Sequence, residues 1–162
     1  MSHKTIHVDL TEAGVDKAIA DLTKYKEEFL KKCNQLLAVM ADRGMTIARI
    51  RVAELDAYYT GGLYESIEGY FDASSRTGIV KAGAWYALYV EYGTGIVGQN
   101  SPHPDGGWAY DVKGHGNLGW NYFDRWDKPH HTTGMPSRPF MYDTRKYLEE
   151  YCKKIAKEVF GA

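Results

Sequence analysis

The sequence has little of several features that would otherwise constrain its fold. It contains two cysteines, Cys33 and Cys152, in 162 residues, which excludes a fold held together by a disulfide framework. Both lie in helix-like patterns, so we expect them to be small buried hydrophobes. No apolar run reaches the 18 residues that mark a transmembrane helix. The N-terminus, MSHKTIHVDL, has no apolar core of signal-peptide length, which predicts synthesis and retention in a cytoplasm.

The chain also lacks an excess of charge of either sign. Twenty Lys and Arg face 21 Asp and Glu, a net charge of −1, which argues against a nucleic-acid coat or a membrane-surface binder because both need a basic excess. The sequence has no phosphate loop, dinucleotide fingerprint, nucleophile elbow or HExxH motif. Its length suits one domain with a sizeable core, and we expect a single domain over residues 1–162.

Proline is absent from residues 1–101, which leaves room for long regular elements. Alternating apolar residues predict a strand over residues 4–10, and Asp9, three residues before Glu12, predicts a helix N-cap. Apolar residues then recur at helical spacing from Val15 to Ile50. One helix over 12–56 would be about 67 Å long, longer than such a domain. We therefore predict a short helix, a break near Lys24–Glu27, and a long helix ending near Leu55.

The apolar stripe of this helical region has two interpretations. We favour a core face, because the spacing is not strictly heptad; the alternative is a coiled-coil seam. Arg43, Arg49 and Arg51 lie together on its second half. We expect a solvated helix face whose arginines pair with Asp42 and Glu54, and the alternative is a small nucleic-acid-binding module.

Glycine and aromatic residues dominate the middle of the chain, where 14 of 17 glycines fall between residues 61 and 134. Alternation predicts a hairpin with strands over 63–70 and 79–83. An amphipathic stripe after Asp143 or Thr144, either of which can cap a helix, predicts a last helix. The fold class is therefore α+β, a small antiparallel sheet packed against a long N-terminal helix and a C-terminal helix.

Residues 98–135 form a long loop insertion with almost no aliphatic side chains but three of the four tryptophans. We predict a protruding hairpin whose two strands are Trp108–Tyr110 and Trp120–Tyr122. Exposed aromatic residues mark contact sites, and we predict an assembly interface that contains Trp108, Tyr110, Trp120, Tyr122 and Trp126. The alternative is that the loop folds back and packs on its own domain.

Polar residues in the same loop offer one set of metal ligands. Histidine and carboxylate side chains bind zinc or iron, and the set is His103, Asp105, Asp111, His115, His130 and His131. Its spacing matches no ligand signature, so we expect these residues to be structural and no cofactor to be bound. A metal-dependent hydrolase is the alternative. Glu91, in an otherwise apolar segment, is expected to form a buried pair with Arg138, which two prolines hold rigidly.

Three segments together resemble one known family. TGGLYESI (60–67) is similar to its T-G-x-L-x-x-S-I motif, YALYVEYGT (86–94) to its Y-A-x-Y-V-E-x-G-T hallmark, and PSRPFM (136–141) to its P-x-R-P-F-[LM] motif. The matched positions include Thr60, Gly61, Leu63, Ser66, Tyr86, Glu91, Gly93, Thr94, Arg138, Pro139 and Phe140. The family comprises head–tail joining or tail-completion (neck) proteins of long-tailed bacteriophages, related to a tail component of lambdoid phages. The loop 98–135 is longer than the family pattern.

The resemblance implies a structural virion protein rather than an enzyme. Members sit at the neck, where the head meets the tail, in homo-oligomeric rings that match the six-fold symmetry of the tail tube. The expected partners are other copies of the chain, head-completion proteins and tail-terminator or tail-tube proteins. DNA would pass through the channel without sequence-specific binding, and no membrane would be involved. The expected location is the virion neck, after synthesis in the host bacterial cytoplasm.

Overall fold

The computed structural model describes residues 8–57 and 60–161. The protein is an α+β fold with a long N-terminal helix, a C-terminal helix and two antiparallel sheets of two strands each, so the predicted fold class is confirmed. Its elements are α1 (Glu12–Glu54), α2 (Gly62–Glu65), β1 (Ile67–Asp72), β2 (Thr77–Ala82), α3 (Ala87–Tyr92), α4 (Gly95–Asn100), β3 (Trp120–Phe123), β4 (Pro129–Thr132), β5 (Gly134–Met135) and α5 (Phe140–Phe160). None of the helices in the described ranges combines the length and the apolar character of a membrane span.

The first helix is continuous over 43 residues, about 64 Å at 1.5 Å per residue, so the predicted break near Lys24–Glu27 is wrong. No proline or glycine lies between residues 15 and 43, and good helix formers fill the interval. We expected a break because such a helix is longer than a domain of this size. This length does not force a break, because the rest of the fold does not enclose α1 along its whole length. Helix α5 ends beside Phe29, whose ring lies 5.8 Å from the ring of Phe160, and residues 12–28 extend beyond that point.

The N-terminal end of α1 differs from the prediction. Thr11 is the N-cap, and its Oγ1 accepts a hydrogen bond of 3.1 Å from the backbone nitrogen of Gly14. Asp9 is therefore not the cap, because the cap residue immediately precedes the first helical residue, which is Glu12. Residues 8–10 do not form a strand, and the rest of the predicted strand 4–10 lies outside the described residues.

The core lies where α5 and the first sheet pack against the C-terminal half of α1. Its buried members are Ala48, Val52, Leu63, Ile67, Ala87, Val90 and Phe140. A Cβ added to Gly69 of β1 would lie 2.3 Å from the carbonyl oxygen of Ala41, so this glycine lets the strand backbone approach the helix closely. The predicted core face of α1 is thus confirmed near Ala41–Val52. It is wrong for most of the N-terminal half, where the large apolar side chains are exposed and Ala18 alone of residues 12–29 is buried.

The first predicted hairpin is confirmed, with different bounds for both strands. β1 pairs antiparallel with β2 from Ile67–Ala82 to Asp72–Thr77. Residues 63–65, predicted as strand, instead belong to α2 (Gly62–Glu65). Gly61 enters this turn with φ of 83°, and Ser66 closes it by donating from Oγ to the carbonyl of Leu63 at 2.8 Å.

The second hairpin exists, but one of its strands is not the predicted one. Trp120–Phe123 pairs with Pro129–Thr132, whereas residues 108–110 form no strand. The turn between the strands depends on Asp124, whose Oδ1 accepts hydrogen bonds from the backbone nitrogens of Trp126 and Lys128, both at 2.9 Å. The strand that pairs with β3 is therefore the one that follows it after a short turn. The repeated W-x-Y spacing wrongly indicated the preceding segment, Trp108–Tyr110, as the partner.

Candidate assembly surface

A buried carboxylate, that of Glu91, makes hydrogen bonds that join two of the three motif segments. Glu91 on α3 is 6% exposed and His103 is 4% exposed, and their Oε1 and Nε2 atoms lie 3.1 Å apart. The His103 Nδ1 accepts a hydrogen bond of 3.0 Å from the backbone nitrogen of Asp105. With Nδ1 accepting, Nε2 carries the proton and donates to Glu91. Tyr92 covers the imidazole, with ring centroids 4.2 Å apart.

Glu91 also supplies the N-terminal cap that α5 lacks locally. The N-cap position is Pro139, which makes no side-chain hydrogen bond, so the predicted caps Asp143 and Thr144 are wrong. Instead the Glu91 carboxylate accepts from the backbone nitrogens of Met141 at 2.8 Å and Tyr142 at 2.9 Å. A negative charge here also complements the helix dipole. These contacts satisfy the buried carboxylate without an arginine.

The predicted Glu91–Arg138 pair is therefore wrong. Arg138 instead donates from Nε to the carbonyl oxygen of Leu55 at 3.0 Å, which ties the start of α5 to the end of α1. Its backbone nitrogen donates to the carbonyl of Val90 at 2.9 Å. The prediction failed because it considered only side-chain cations as partners, whereas a helix N-terminus offers backbone N–H groups to a carboxylate.

Gly93 has the backbone conformation that the sequence predicted, with φ of 80°. A Cβ at this position would lie 2.7 Å from the backbone nitrogen of Ser137 and 2.8 Å from the carbonyl oxygen of Met135. The next residue, Thr94, accepts a hydrogen bond at Oγ1 from the backbone nitrogen of Met135 at 3.2 Å. The hallmark segment and the segment before α5 are thus in backbone contact.

The three motif segments meet in one part of the core. Leu63 and Ile67 come from the first segment, Ala87 and Val90 from the second, and Phe140 from the third. Tyr86 is half-buried and packs against this cluster, whereas Thr60 is exposed at the start of the first segment. These motif positions build the scaffold of the fold.

Part of the aromatic loop folds back onto this scaffold. Trp108 is half-buried, donates from Nε1 to the carbonyl of Gly93 at 3.0 Å, and stacks on Tyr92 with centroids 4.8 Å apart. The hydroxyl of Tyr110 accepts from the backbone nitrogen of His103 at 2.9 Å. Trp108 and Tyr110 therefore contribute to intramolecular packing, and their role at an interface stays a prediction.

The β3–β4 hairpin carries the exposed aromatic residues of the loop. Tyr122 is 47% exposed, Phe123 66% and Trp126 58%, while Trp120 is half-buried against His115. We call these three exposed side chains together the hairpin patch; Tyr122 and Phe123 are consecutive in β3 and point to opposite faces of the hairpin. Because the core is built from other elements, these side chains are not needed to fill it.

A second apolar surface lies beside the Glu91–His103 pair. Both residues line a groove of about 440 Å³, with Tyr142 and Arg145 also in its wall. Trp85, 84% exposed, and Leu88, 53% exposed, also line it. We call this surface the Trp85 groove. Sequence analysis did not single it out, although Trp85 stands next to the hallmark segment.

The six candidate metal ligands are not brought together. His115 lies 3.4 Å from Asp111, His130 lies 2.9 Å from Asp124, and His131 Nε2 contacts the carbonyl of Leu118 at 2.8 Å. Asp105 pairs with Arg145 at 3.2 Å, and His103 pairs with Glu91. No group of three or more potential ligands converges within the described residues, so the described part of the chain offers the hydrolase alternative no ligand set.

Two loop aspartates instead hold turns. The Asp111 carboxylate accepts from the backbone nitrogens of Gly116 and His115 at 2.6 and 2.9 Å, and these hydrogen bonds lower the pKa of Asp111. Backbone donation from Lys128 and the contact with His130 lower the pKa of Asp124. Both pKa values are lowered because the hydrogen bonds stabilise the charged form of each carboxylate.

The three arginines of α1 each have a partner in the fold. Arg43 pairs with Glu158 of α5, and Arg51 pairs with Glu54. Arg49 donates to the carbonyl of Ile67 at 2.9 Å and lies over the ring of Tyr64. The expected pairing with an acidic residue is correct for Arg51; Arg43 uses a different acid from the one expected. Each of the three cations thus has an intramolecular partner.

No protein-family model, curated protein or solved structure matches this chain.

Proposed function

We propose that this chain is a structural protein of a phage virion, located at the neck, where it joins or completes the tail as part of an oligomeric ring around the DNA channel. The observation that carries the proposal is the hairpin patch, three large exposed aromatic side chains outside a core that is complete without them. The resemblance of the three motif segments to phage neck proteins supports the neck as the assembly in which this chain acts. Residues of all three motif segments lie together in the core, which explains the motifs by the needs of the fold rather than by direct contact with a partner.

A closed ring also needs two different contact surfaces on each subunit, because cyclic contacts are heterologous. The hairpin patch is an exposed aromatic surface, and the Trp85 groove is concave with Trp85 and Leu88 on its lining. Tyr and Trp are enriched at protein interfaces because they contribute large contact areas at low entropic cost. The two surfaces supply the pair of unlike patches that a six-fold homo-oligomer requires.

The charge distribution suits a channel wall that lets DNA slide. Residues 61–134 carry five basic and eight acidic side chains, a difference of −3. Such a wall offers phosphates no net attraction, since phosphate binding depends on Lys and Arg. Head-completion, tail-terminator or tail-tube proteins would bind at the two ends of the ring, and the protein would be located in the virion after synthesis in the host cytoplasm.

The test is genetic complementation of the phage that encodes the chain, with its own copy disrupted. A variant with Phe123→Ser and Trp126→Ser should fold but leave full heads and separate tails in electron micrographs. The matched control is Tyr70→Ser, which removes a comparably exposed aromatic side chain (43%) from the other sheet. Infectious particles at wild-type yield from the double variant, with the protein folded, would contradict the proposal.

A further inference from the structure

The tip of the β3–β4 hairpin, residues 124–128, is a well-braced projection with a tryptophan on its surface. The Asp124 carboxylate holds the turn through the backbone nitrogens of Trp126 and Lys128, and the Asp124 backbone nitrogen donates to the carbonyl of Lys128 at 3.0 Å. The guanidinium group of Arg125 lies 4.1 Å from the centroid of the Trp126 ring, yet Trp126 is 58% exposed. Because the turn and the ring are held before any contact, the hairpin tip would lose little conformational entropy on docking.

The Trp85 groove has the opposite shape, with apolar walls and a charged rim. Trp85 and Tyr142 both line it, and Trp85 is 84% exposed, so the described fold leaves this wall uncovered. Pockets of about 300–1,000 Å³ enclose groups of drug size, and the groove, at about 440 Å³, admits an indole ring. The half-exposed ion pair of Asp105 and Arg145 brings one charge of each sign to the same groove.

The charges of the hairpin tip are complementary to those of the groove. Arg125 and Asp127 stand on the two sides of Trp126 in the chain, and neither forms an ion pair within the described residues. With Trp126 in the groove, Arg125 can pair with the carboxylate of the rim and Asp127 with its guanidinium group. A tip with charges of one sign would be repelled by one member of the rim pair. Complementarity of this kind selects the partner and fixes its orientation.

We infer that the hairpin tip of one copy of this chain docks in the Trp85 groove of another copy, with Trp126 as the side chain that enters the groove. The occupant is a copy of the chain because the convex and the concave surface, with matching charges, are both present on it. In the described fold both tryptophans are exposed, so the tip of a chain does not fill its own groove.

The contact joins two different surfaces and leaves one of each kind free on the pair of subunits. This is the heterologous geometry from which closed rings are built. The inference deepens the proposed function, and it rests on that function for the closure of the ring. The contact itself needs only two copies of the chain, so it can be measured in solution.

The size of the contact sets the effect expected of substitutions. A buried aromatic side chain covers about 150–250 Å², so the two tryptophans supply at most about 300–500 Å² of the roughly 1,600 Å² of a standard interface. Neighbouring contacts must supply the rest, but tryptophans at the centre of an interface contribute a large share of the binding energy. Loss of either one should weaken self-association at least about tenfold. Because both lie outside the core, the variants should stay folded.

Mixing two variants of the full chain tests the inference, with self-association measured by sedimentation velocity. Trp85→Ser removes a wall of the groove and keeps the tip, whereas Trp126→Ser removes the tip and keeps the groove. Each variant alone should associate at least about tenfold more weakly than the wild type. A 1:1 mixture should form dimers again, because an intact tip meets an intact groove. It should form nothing larger, since the tip and the groove left free on that dimer are both altered.

The matched control is Leu118→Ser, which removes an apolar side chain that is 85% exposed in the same loop but lies outside both surfaces. It should associate like the wild type, and circular dichroism checks that every variant stays folded.

Three results would overturn the inference. Wild-type association of Trp85→Ser or of Trp126→Ser would show that this tryptophan lies outside the contact. Two weakened variants whose mixture stays monomeric would show that the two surfaces do not bind each other. A wild-type chain that is monomeric at all concentrations would show that copies make no such contact. Failure of the proposed function is distinguishable from these results, because it is judged by whether heads and tails join in the complementation experiment.

Discussion

Glu91→Gln is the sharpest perturbation of the scaffold, because it removes a charge while keeping the shape of the side chain. The carboxylate accepts three hydrogen bonds, two from the N-terminus of α5 and one from His103. Glutamine has one accepting oxygen. If that oxygen stays with Tyr142 and His103, the amide nitrogen of glutamine faces the N–H of Met141, and two donors meet. A buried donor without an acceptor costs about 1–3 kcal/mol, and hydrogen bonds to a charged group contribute about 1.5–3 kcal/mol each.

We therefore expect Glu91→Gln to lower the free energy of unfolding by about 2–4 kcal/mol, from the lost acceptor and the weaker remaining hydrogen bonds. For a domain of this size each kcal/mol shifts Tm by about 2–4 °C, so the expected shift is roughly 5–15 °C. Urea unfolding followed by far-UV circular dichroism measures the change. Glu68→Gln is the matched control, since Glu68 forms an exposed pair with Lys81 at 3.1 Å and should cost less than about 1 kcal/mol.

A loss below about 0.5 kcal/mol for Glu91→Gln, similar to that of Glu68→Gln, would refute the assignment of Glu91 as the cap of α5. A double-mutant cycle with His103→Phe separates the two kinds of partner. Coupling of about 1–2 kcal/mol between Glu91 and His103 is expected, because the pair is buried and charge-assisted. Coupling near zero, with a large single effect of Glu91→Gln, would assign the stabilisation to the backbone of α5 alone.

Three further substitutions test separate parts of the fold. Gly93→Val should prevent soluble expression, because φ is positive there and a Cβ would meet the backbone of the segment before α5; normal soluble yield would contradict this. Thr11→Ala should lower helix stability by about 1 kcal/mol through loss of the N-cap, and an unchanged thermal melt followed at 222 nm would argue against it. Ser74 and Ser75 lower the pKa of Asp72 to about 2 from 3.8, so its stabilising effect is present above pH 4 and lost as the pH falls towards 2. Asp72→Asn should flatten that part of the acid-unfolding curve, and an identical curve would count against the turn.

The sequence was informative where local chemistry determines structure. The helical spacing of α1 and α5 and the alternation around β1 and β2 gave the α+β class. Positive φ at Gly93 followed from glycine at the end of an apolar segment. Local sequence patterns could not identify the partners of Glu91, because these include the backbone N–H groups at the start of α5, and only the tertiary fold brings that end of the helix to Glu91. No periodic pattern marks His103, which lies 12 residues from Glu91 in an irregular segment.

The sequence also did not predict that α1 has a buried and an exposed half, although the length of its apolar stripe was a signal. The apolar stripe runs further than one domain can enclose, which indicated either a break in the helix or an end that projects beyond the fold. We predicted the break, since nothing in the sequence shows where α5 stops. The hairpin partner was missed for a related reason: the turn at Asp124 is local chemistry, whereas the W-x-Y repeat is only a resemblance between two segments.

The proposed function assigns the gene to a phage genome, and electron microscopy of the virions of such a phage tests this central claim most directly. The chain would carry an affinity label attached after α5, where Gly161 is exposed, and the particles would be reconstructed around the neck. The proposed function predicts label at the head–tail junction, in a ring with the six-fold symmetry of the tail. Particles that lack the protein altogether, or that carry the label away from the neck, would contradict it.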